Sequence, residues 1–141
     1  DQRHVLNVAY TAQKIIEQKQ YENIDYNLLI RACLLHDVGR TAKDICLMDK
    51  VTSVLLGKFL PQKSKQWASE AEKLKLNKSK SFWQKRRYAL YIYYNHARLG
   101  AEKLNELGLN DIAEIIRYHH EKVDCKACGE LQILCLADSL N

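Results

Sequence analysis

Apolar positions recur at helical spacing along most of this chain. His4, Val8, Ala12 and Ile15 fall on one face of a predicted helix over about 4–19, with Val5, Ala9 and Ile16 beside them. Asp25, a residue type that caps helix starts, precedes Leu28-Leu29-Ile30-Arg31-Ala32-Cys33-Leu34-Leu35. That run is apolar nearly all round and predicts a buried central helix. It ends at His36-Asp37-Val38-Gly39, where Gly39 is expected to supply the C-terminal turn. Through 41–94 the pattern is less regular. It predicts short helical pieces over 47–60 stopped by Pro61, another helix over 66–76, and a longer aromatic one over 81–94. Three further helices are predicted over 96–107, closed by Gly108; over 110–121, capped by Asn110 or Asp111; and over 129–140. With only 5 Gly and 1 Pro in 141 residues, the pattern describes an all-α fold in a single domain, 1–141.

The same periodicity picks out polar residues on apolar faces. His4 leads the face of the first helix, and His96 shares one with Gly100, Leu104 and Leu107. Ile112, Ile115 and Ile116 run at i+3 and i+4 spacing to His119 and His120. Asp138 falls within an otherwise apolar run, 131–140, and His36-Asp37 ends the most apolar helix. Every histidine of the chain is thus expected to point inward, together with two aspartates. A buried imidazole or carboxylate is costly without compensation. One divalent-metal centre would satisfy them all. Mixed imidazole and carboxylate donors suit Fe, Mn, Co, Ni or Zn rather than Ca or a thiolate zinc site. Seven candidate ligands allow one ion or two, and two-metal sites recur in phosphate ester hydrolysis.

The ordered set His4, His36-Asp37, His96, His119-His120 and Asp138 resembles the HD-domain phosphohydrolase superfamily, closest to its HDIG-type members. The likeness is looser to HD-GYP phosphodiesterases and bacterial diadenosine-tetraphosphate hydrolases. It is carried by 31–40 (RACLLHDVGR), 96–102 (HARLGAE) and 115–121 (IIRYHHE). The resemblance implies a compact multi-helix bundle with a metal site at its centre. His4, His36, Asp37 and Asp138 would hold a first metal, with Asp37 bridging to a second. His96 and one or both of His119 and His120, His119 the stronger candidate, would hold that second metal or contact phosphate. It also implies Asp37 and His96 as catalytic residues, and Arg40, Arg98 and Arg117 as phosphate contacts. Arg40 stands where the HDIG-type motif commonly has lysine. The implied reaction is hydrolysis of a phosphate ester or anhydride of a nucleotide-like substrate through a metal-activated hydroxide. The glycine-tyrosine-proline signature of the HD-GYP group is absent after Glu121, which argues against cyclic-dinucleotide cleavage.

Charge alters this picture in one place. The net charge is +5, but residues 41–95 hold 12 Lys/Arg against 4 Asp/Glu, leaving the remainder acidic. A basic helical insert at about 41–95 is therefore expected, facing an anionic ligand or polymer. Within it Lys78, Lys80, Lys85, Arg86 and Arg87 interleave with Phe82, Trp83, Tyr88, Tyr91, Tyr93 and Tyr94. That pattern gives two alternatives to catalysis alone: nucleic-acid binding through 78–87, or a nucleotide-sensing module on the same scaffold. An aromatic helix stripe also serves as ordinary core. Of the five cysteines, Cys33 and Cys135 read as small buried hydrophobes, and Cys125-x-x-Cys128 lacks a second ligand pair. A reduced, cytoplasmic setting without membrane spans follows from this reading. The opening Asp1-Gln2-Arg3-His4 has neither an initiator methionine nor a following signal-peptide core, so the chain reads as a piece of a longer one.

Overall fold

The computed structural model describes residues 2–19, 21, 23–40, 47–72, 81–121 and 128–141. Among these the secondary structure is helical throughout, without strands. The elements are α1 (Gln2–Lys19), α2 (Tyr26–Leu35), a 3-10 turn (Val38–Arg40), α3 (Leu47–Phe59), α4 (Pro61–Glu72), α5 (Phe82–Glu106), α6 (Asn110–Tyr118) and α7 (Gly129–Ser139). None of the described helices is long and apolar enough to cross a membrane. The chain forms two compact units, Asp1–Gly39 with Ala97–Asn141, and Arg40–His96.

In the first unit α1 packs on α2 and α7, α2 packs on α6 and α7, and α6 packs on α7. Val8 and Ala12, Leu29, Ala32 and Cys33, Ile112 and Ile116, and Ile133, Leu134 and Ala137 are all essentially inaccessible. The alanines keep side-chain volume low where the helices meet. α2 begins as its sequence predicts: Asp25 is the cap, and its Oδ1 accepts from the Leu28 N–H at 3.0 Å. The Asp25 N–H in turn donates to Glu130 Oε1 at 2.9 Å, tying the start of α2 to α7. At the other end of α7, Asn141 Nδ2 donates to Thr11 Oγ1 of α1 at 2.9 Å. α2 is less enclosed than its composition suggests, since Tyr26 and Leu34 are 46% and 40% exposed.

Several boundaries differ from the sequence reading. Pro61 both ends one helix and starts the next; it is the first residue of α4, where its missing N–H costs nothing and its fixed φ suits the helix. The expected start at Gln66 is therefore five residues late, and 73–76 lies outside the described residues. The helices predicted over 81–94 and 96–107 are one continuous α5. Nothing breaks it at Asn95, whose Nδ2 donates to the Tyr91 carbonyl one turn back and so stays within the helix. α5 does close at Gly108, which adopts φ +75. Leu109 N donates to Leu104 O at 2.9 Å and Gly108 N to Asn105 O at 3.0 Å, the paired bonds of a Schellman motif. The cap position before α6 is taken by Leu109 rather than Asn110 or Asp111, with no side-chain cap bond. Gly39 does not act as a left-handed cap; it sits buried in the 3-10 turn. Gly100 of α5 is the glycine that close approach requires, because a Cβ there would lie 3.2 Å from Gly39 N and 3.2 Å from Val38 Cγ1.

In the second unit α3 packs on α4. Arg86 of α5 donates to Thr52 Oγ1 of α3 at 3.3 Å, and Ser64 of α4 meets the Tyr94 hydroxyl of α5 at 2.7 Å. The aromatic stretch divides: Tyr91 is buried, Tyr88, Tyr93 and Tyr94 are half-buried, and Phe82 and Trp83 stand exposed.

A candidate metal centre at the helix ends of the first unit

The site is built where α1 begins and α2, α6 and α7 end. His4 stands in the first turn of α1, His36 is the C-cap of α2 with Asp37 next to it, and His119 is the C-cap of α6. Asp138 is in the last turn of α7. A helix's final carbonyls lack backbone partners, and two of these histidines use them. His36 Nδ1 lies 2.7 Å from Cys33 O, and His119 Nδ1 lies 2.6 Å from Ile116 O, each three residues back. Donation from Nδ1 leaves Nε2 as the lone-pair nitrogen of a neutral ring.

Around Asp138 three donor groups converge. His4 Nε2 is 3.1 Å from Asp138 Oδ1 and His36 Nε2 is 3.4 Å from the same oxygen. The donor atoms of His4, His36 and Asp138 all lie within 4.8 Å of one another. Asp37 Oδ1 is 3.8 Å from His36 Nε2. The His4 and His36 rings meet edge-on at 5.3 Å, and the His36 and His119 rings at 5.5 Å. His36 Nε2 is buried without a hydrogen bond of proper geometry, despite the carboxylates close by. Its orientation is fixed by Cys33, and it points at Asp138 at a distance long for a bond and short for neglect. A cation among these atoms would satisfy both, and the set of two imidazoles with a carboxylate fits a divalent transition metal.

The electrostatics agree with that fit. Burial works to raise the Asp138 carboxyl, yet its pairing with His36 and the nearby His120 and His119 hold it well below the usual carboxylate range. Burial opposes protonation of His36, but Asp138, the Cys33 carbonyl and Asp37 outweigh it and raise the ring above its ordinary value. His119 is pushed down to about 3, first by burial and then by His120. It is therefore neutral at physiological pH, as a metal ligand must be. Burial likewise pushes the Cys33 thiol up to about 12 and the Cys135 thiol up to about 11, which makes both inert.

Not every predicted residue sits as expected. His120 is exposed, not inward, because α6 stops at Tyr118 and the periodicity that placed it lapses; its ring still lies 4.0 Å from that of His119, tilted against it. Leu107, predicted on the face of His96, is 73% exposed for the same reason: it lies past the end of α5. His96 itself is buried at the edge of the second unit, its Nδ1 2.8 Å from Tyr93 O, again three residues back. Arg98 pairs with Glu102 at 2.8 Å along α5, while Arg40 and Arg117 are half-buried. Lys78, Lys80 and Cys125 lie outside the described residues, and Cys128 is an exposed free thiol.

Two supports of the site were missed. Lys103 Nζ donates to Val38 O at 3.3 Å and so braces the turn that follows His36-Asp37. Its position seven residues after His96, two turns along one face, was the available signal. Cys135 Sγ donates to His119 O at 3.1 Å, linking α7 to the end of α6. No sequence pattern announces that bond.

Neither the curated proteins nor the solved structures provide a match for this chain. The family model for the HD domain does match, over residues 2–141. With that coverage, and with His36 among side chains that could hold a metal, the chain belongs to the HD-domain superfamily of metal-dependent phosphohydrolases.

Proposed function

We propose that the chain hydrolyses a phosphate ester or anhydride of a nucleotide-like substrate, as a single HDIG-type domain over 1–141 whose basic insert at about 41–95 contributes to selectivity. The observation that carries the reading is the convergence of His4, His36 and Asp138, with the His36 ring locked by Cys33 and its Nε2 turned inward. His4, His36, Asp37 and Asp138 would hold a first divalent metal, and His96 with His119 or His120 a second. Such ions, when bound, neutralise phosphoryl oxygens and acidify water.

The chain's own residues supply the remainder. Asp138 stays anionic and His119 neutral across the physiological range, so neither needs to lose a proton before binding. Asp37, next to His36 and 8% exposed, would orient the attacking water and accept its proton. His96, its Nδ1 tied to Tyr93 O, presents Nε2 in the same manner as His36 and is the second catalytic group. Arg40, Arg98 and Arg117 would take the negative charge of the substrate. The Arg98–Glu102 pair is over a third exposed on both sides, so exchanging the carboxylate for phosphate costs little.

The test is a panel of phosphomonoesters, nucleotides and dinucleotides assayed with Mn, Fe, Co, Ni and Zn. Metal-stimulated phosphate release, abolished in the double variant His36→Ala, Asp37→Ala, is expected. Activity unchanged by that double substitution would refute the reading.

A further inference from the structure

α3 is built inside out. Its enclosed face carries Asp49 and Ser53, 8% and 2% exposed. The opposite face carries Met48, Val51, Leu55 and Phe59, spaced by 3, 4 and 4 residues and 63%, 46%, 49% and 71% exposed. A helix on a water-facing surface turns its apolar stripe toward the core; this one turns it outward over three turns. Leu60 continues the apolar surface into the turn before α4. Phe82 and Trp83 stand exposed at the start of α5 with their rings 5.6 Å apart, and Arg86 joins Phe82 to α3. The Arg86 guanidinium lies 4.6 Å over the Phe82 ring while its Nη1 reaches Thr52 Oγ1 of α3 at 3.3 Å. Basic side chains accompany these residues: Lys58, Lys63, Lys65 and Lys85 are all exposed.

We propose that this face of the second unit seats on an anionic lipid bilayer, with Met48, Val51, Leu55, Phe59 and Trp83 entering the headgroup–acyl boundary and the lysines held at the phosphate level. An apolar helix stripe, aromatic rings at its margin and interspersed lysines make up the composition of an interfacial helix. Charge selects this occupant. Residues 41–95 carry an excess of eight positive charges, so an anionic surface is complementary, whereas a second copy would bring two such faces together. This inference goes beyond the proposed hydrolysis and does not depend on it.

The experiment is flotation of the chain with vesicles of phosphatidylcholine alone and with 30% phosphatidylglycerol, at low and high salt. It is paired with quenching of Trp83 by brominated lipid in a Trp67→Phe background. Binding at least tenfold stronger to the anionic vesicles, weakened by salt, with Trp83 quenched, is expected. The variant Leu55→Ser, Phe59→Ser should lose at least tenfold in binding while keeping its helical circular dichroism. The variant Lys58→Glu, Lys63→Glu should lose the preference for anionic lipid. Four results would overturn the proposal: no flotation; flotation with Trp83 unquenched and Leu55 and Phe59 irrelevant; a dimer dispersed by the serine variant without vesicle binding; or retention on single-stranded nucleic acid but not on vesicles.

Discussion

Asp138→Asn removes one charge from the metal-free site and keeps its shape, so its effect is dictated by the His36 partnership. The two groups are 3.4 Å apart, with side chains 1% and 18% exposed. At an effective dielectric of ~20 their attraction is about 5 kcal/mol, most of which the desolvation of the two groups cancels. What survives is measured by the His36 pKa, which Asp138 raises against the effect of burial. Losing that partner lets burial dominate and lowers the ring, and a buried polar group left without its partner costs about 1–3 kcal/mol. The sign follows from linkage. A raised histidine stabilises the fold fully below its unfolded value of 6.5 and loses the contribution as pH rises through the folded value. The substitution should therefore lower Tm at pH 6 by about 4–12 °C, taking roughly 4 °C per kcal/mol for a chain of this size. At pH 9 the loss should shrink to a few degrees. The assay is thermal unfolding of the chelator-treated protein across pH, with the His36 ring followed by NMR. A loss of equal size at pH 6 and pH 9 would refute the argument, because it would make Asp138 a packing element rather than a charge partner.

Other expectations follow from the same geometry. His119, depressed to about 3, favours the unfolded state increasingly as pH falls below 6.5, while His36 withdraws its support above that point. Metal-free Tm should accordingly peak near pH 6.5; a monotonic rise from pH 5 to 9 would contradict the opposed shifts. Gly100→Ala gains about 1 kcal/mol of helix propensity. It also presses a methyl to 3.2 Å from the Gly39 backbone, which cannot rotate aside, and overpacking costs about 1–3 kcal/mol. The variant should be less stable than the parent in denaturant titration, and greater stability would show that the turn yields freely. Site-mapped alkylation of the native protein at pH 8 should modify exposed Cys128 quickly and Cys33 last; early labelling of Cys33 would mean that α2 is not enclosed as described.

The sequence disclosed the helices wherever local chemistry fixed them. Asp25 caps α2 through its own side chain, and Gly108 closes α5 with a positive φ that few other residues adopt. It failed where one residue serves two structures, as Pro61 does, or where a potential breaker is turned back into its own helix, as Asn95 is. The candidate site was legible because His36 and His119, buried, and His4 and Asp138, half-buried, sit on apolar faces and call for a common partner. His120 was misplaced because helical periodicity says nothing beyond the residue at which the helix stops. The inverted face of α3 was invisible for a different reason. Periodicity finds a stripe in Met48, Val51, Leu55 and Phe59, but only tertiary packing decides whether a stripe turns in or out.

The central claim is that His4, His36 and Asp138 form a metal site, and metal stoichiometry tests it most directly. Equilibrium dialysis against Co or Mn, with metal content measured on the folded protein, should give at least one tightly bound ion. Its affinity should rise with pH as His36 releases its proton, and it should be lost in His36→Ala with the helical content retained. A folded protein that binds no divalent metal, or binds it equally well without His36, would contradict the account.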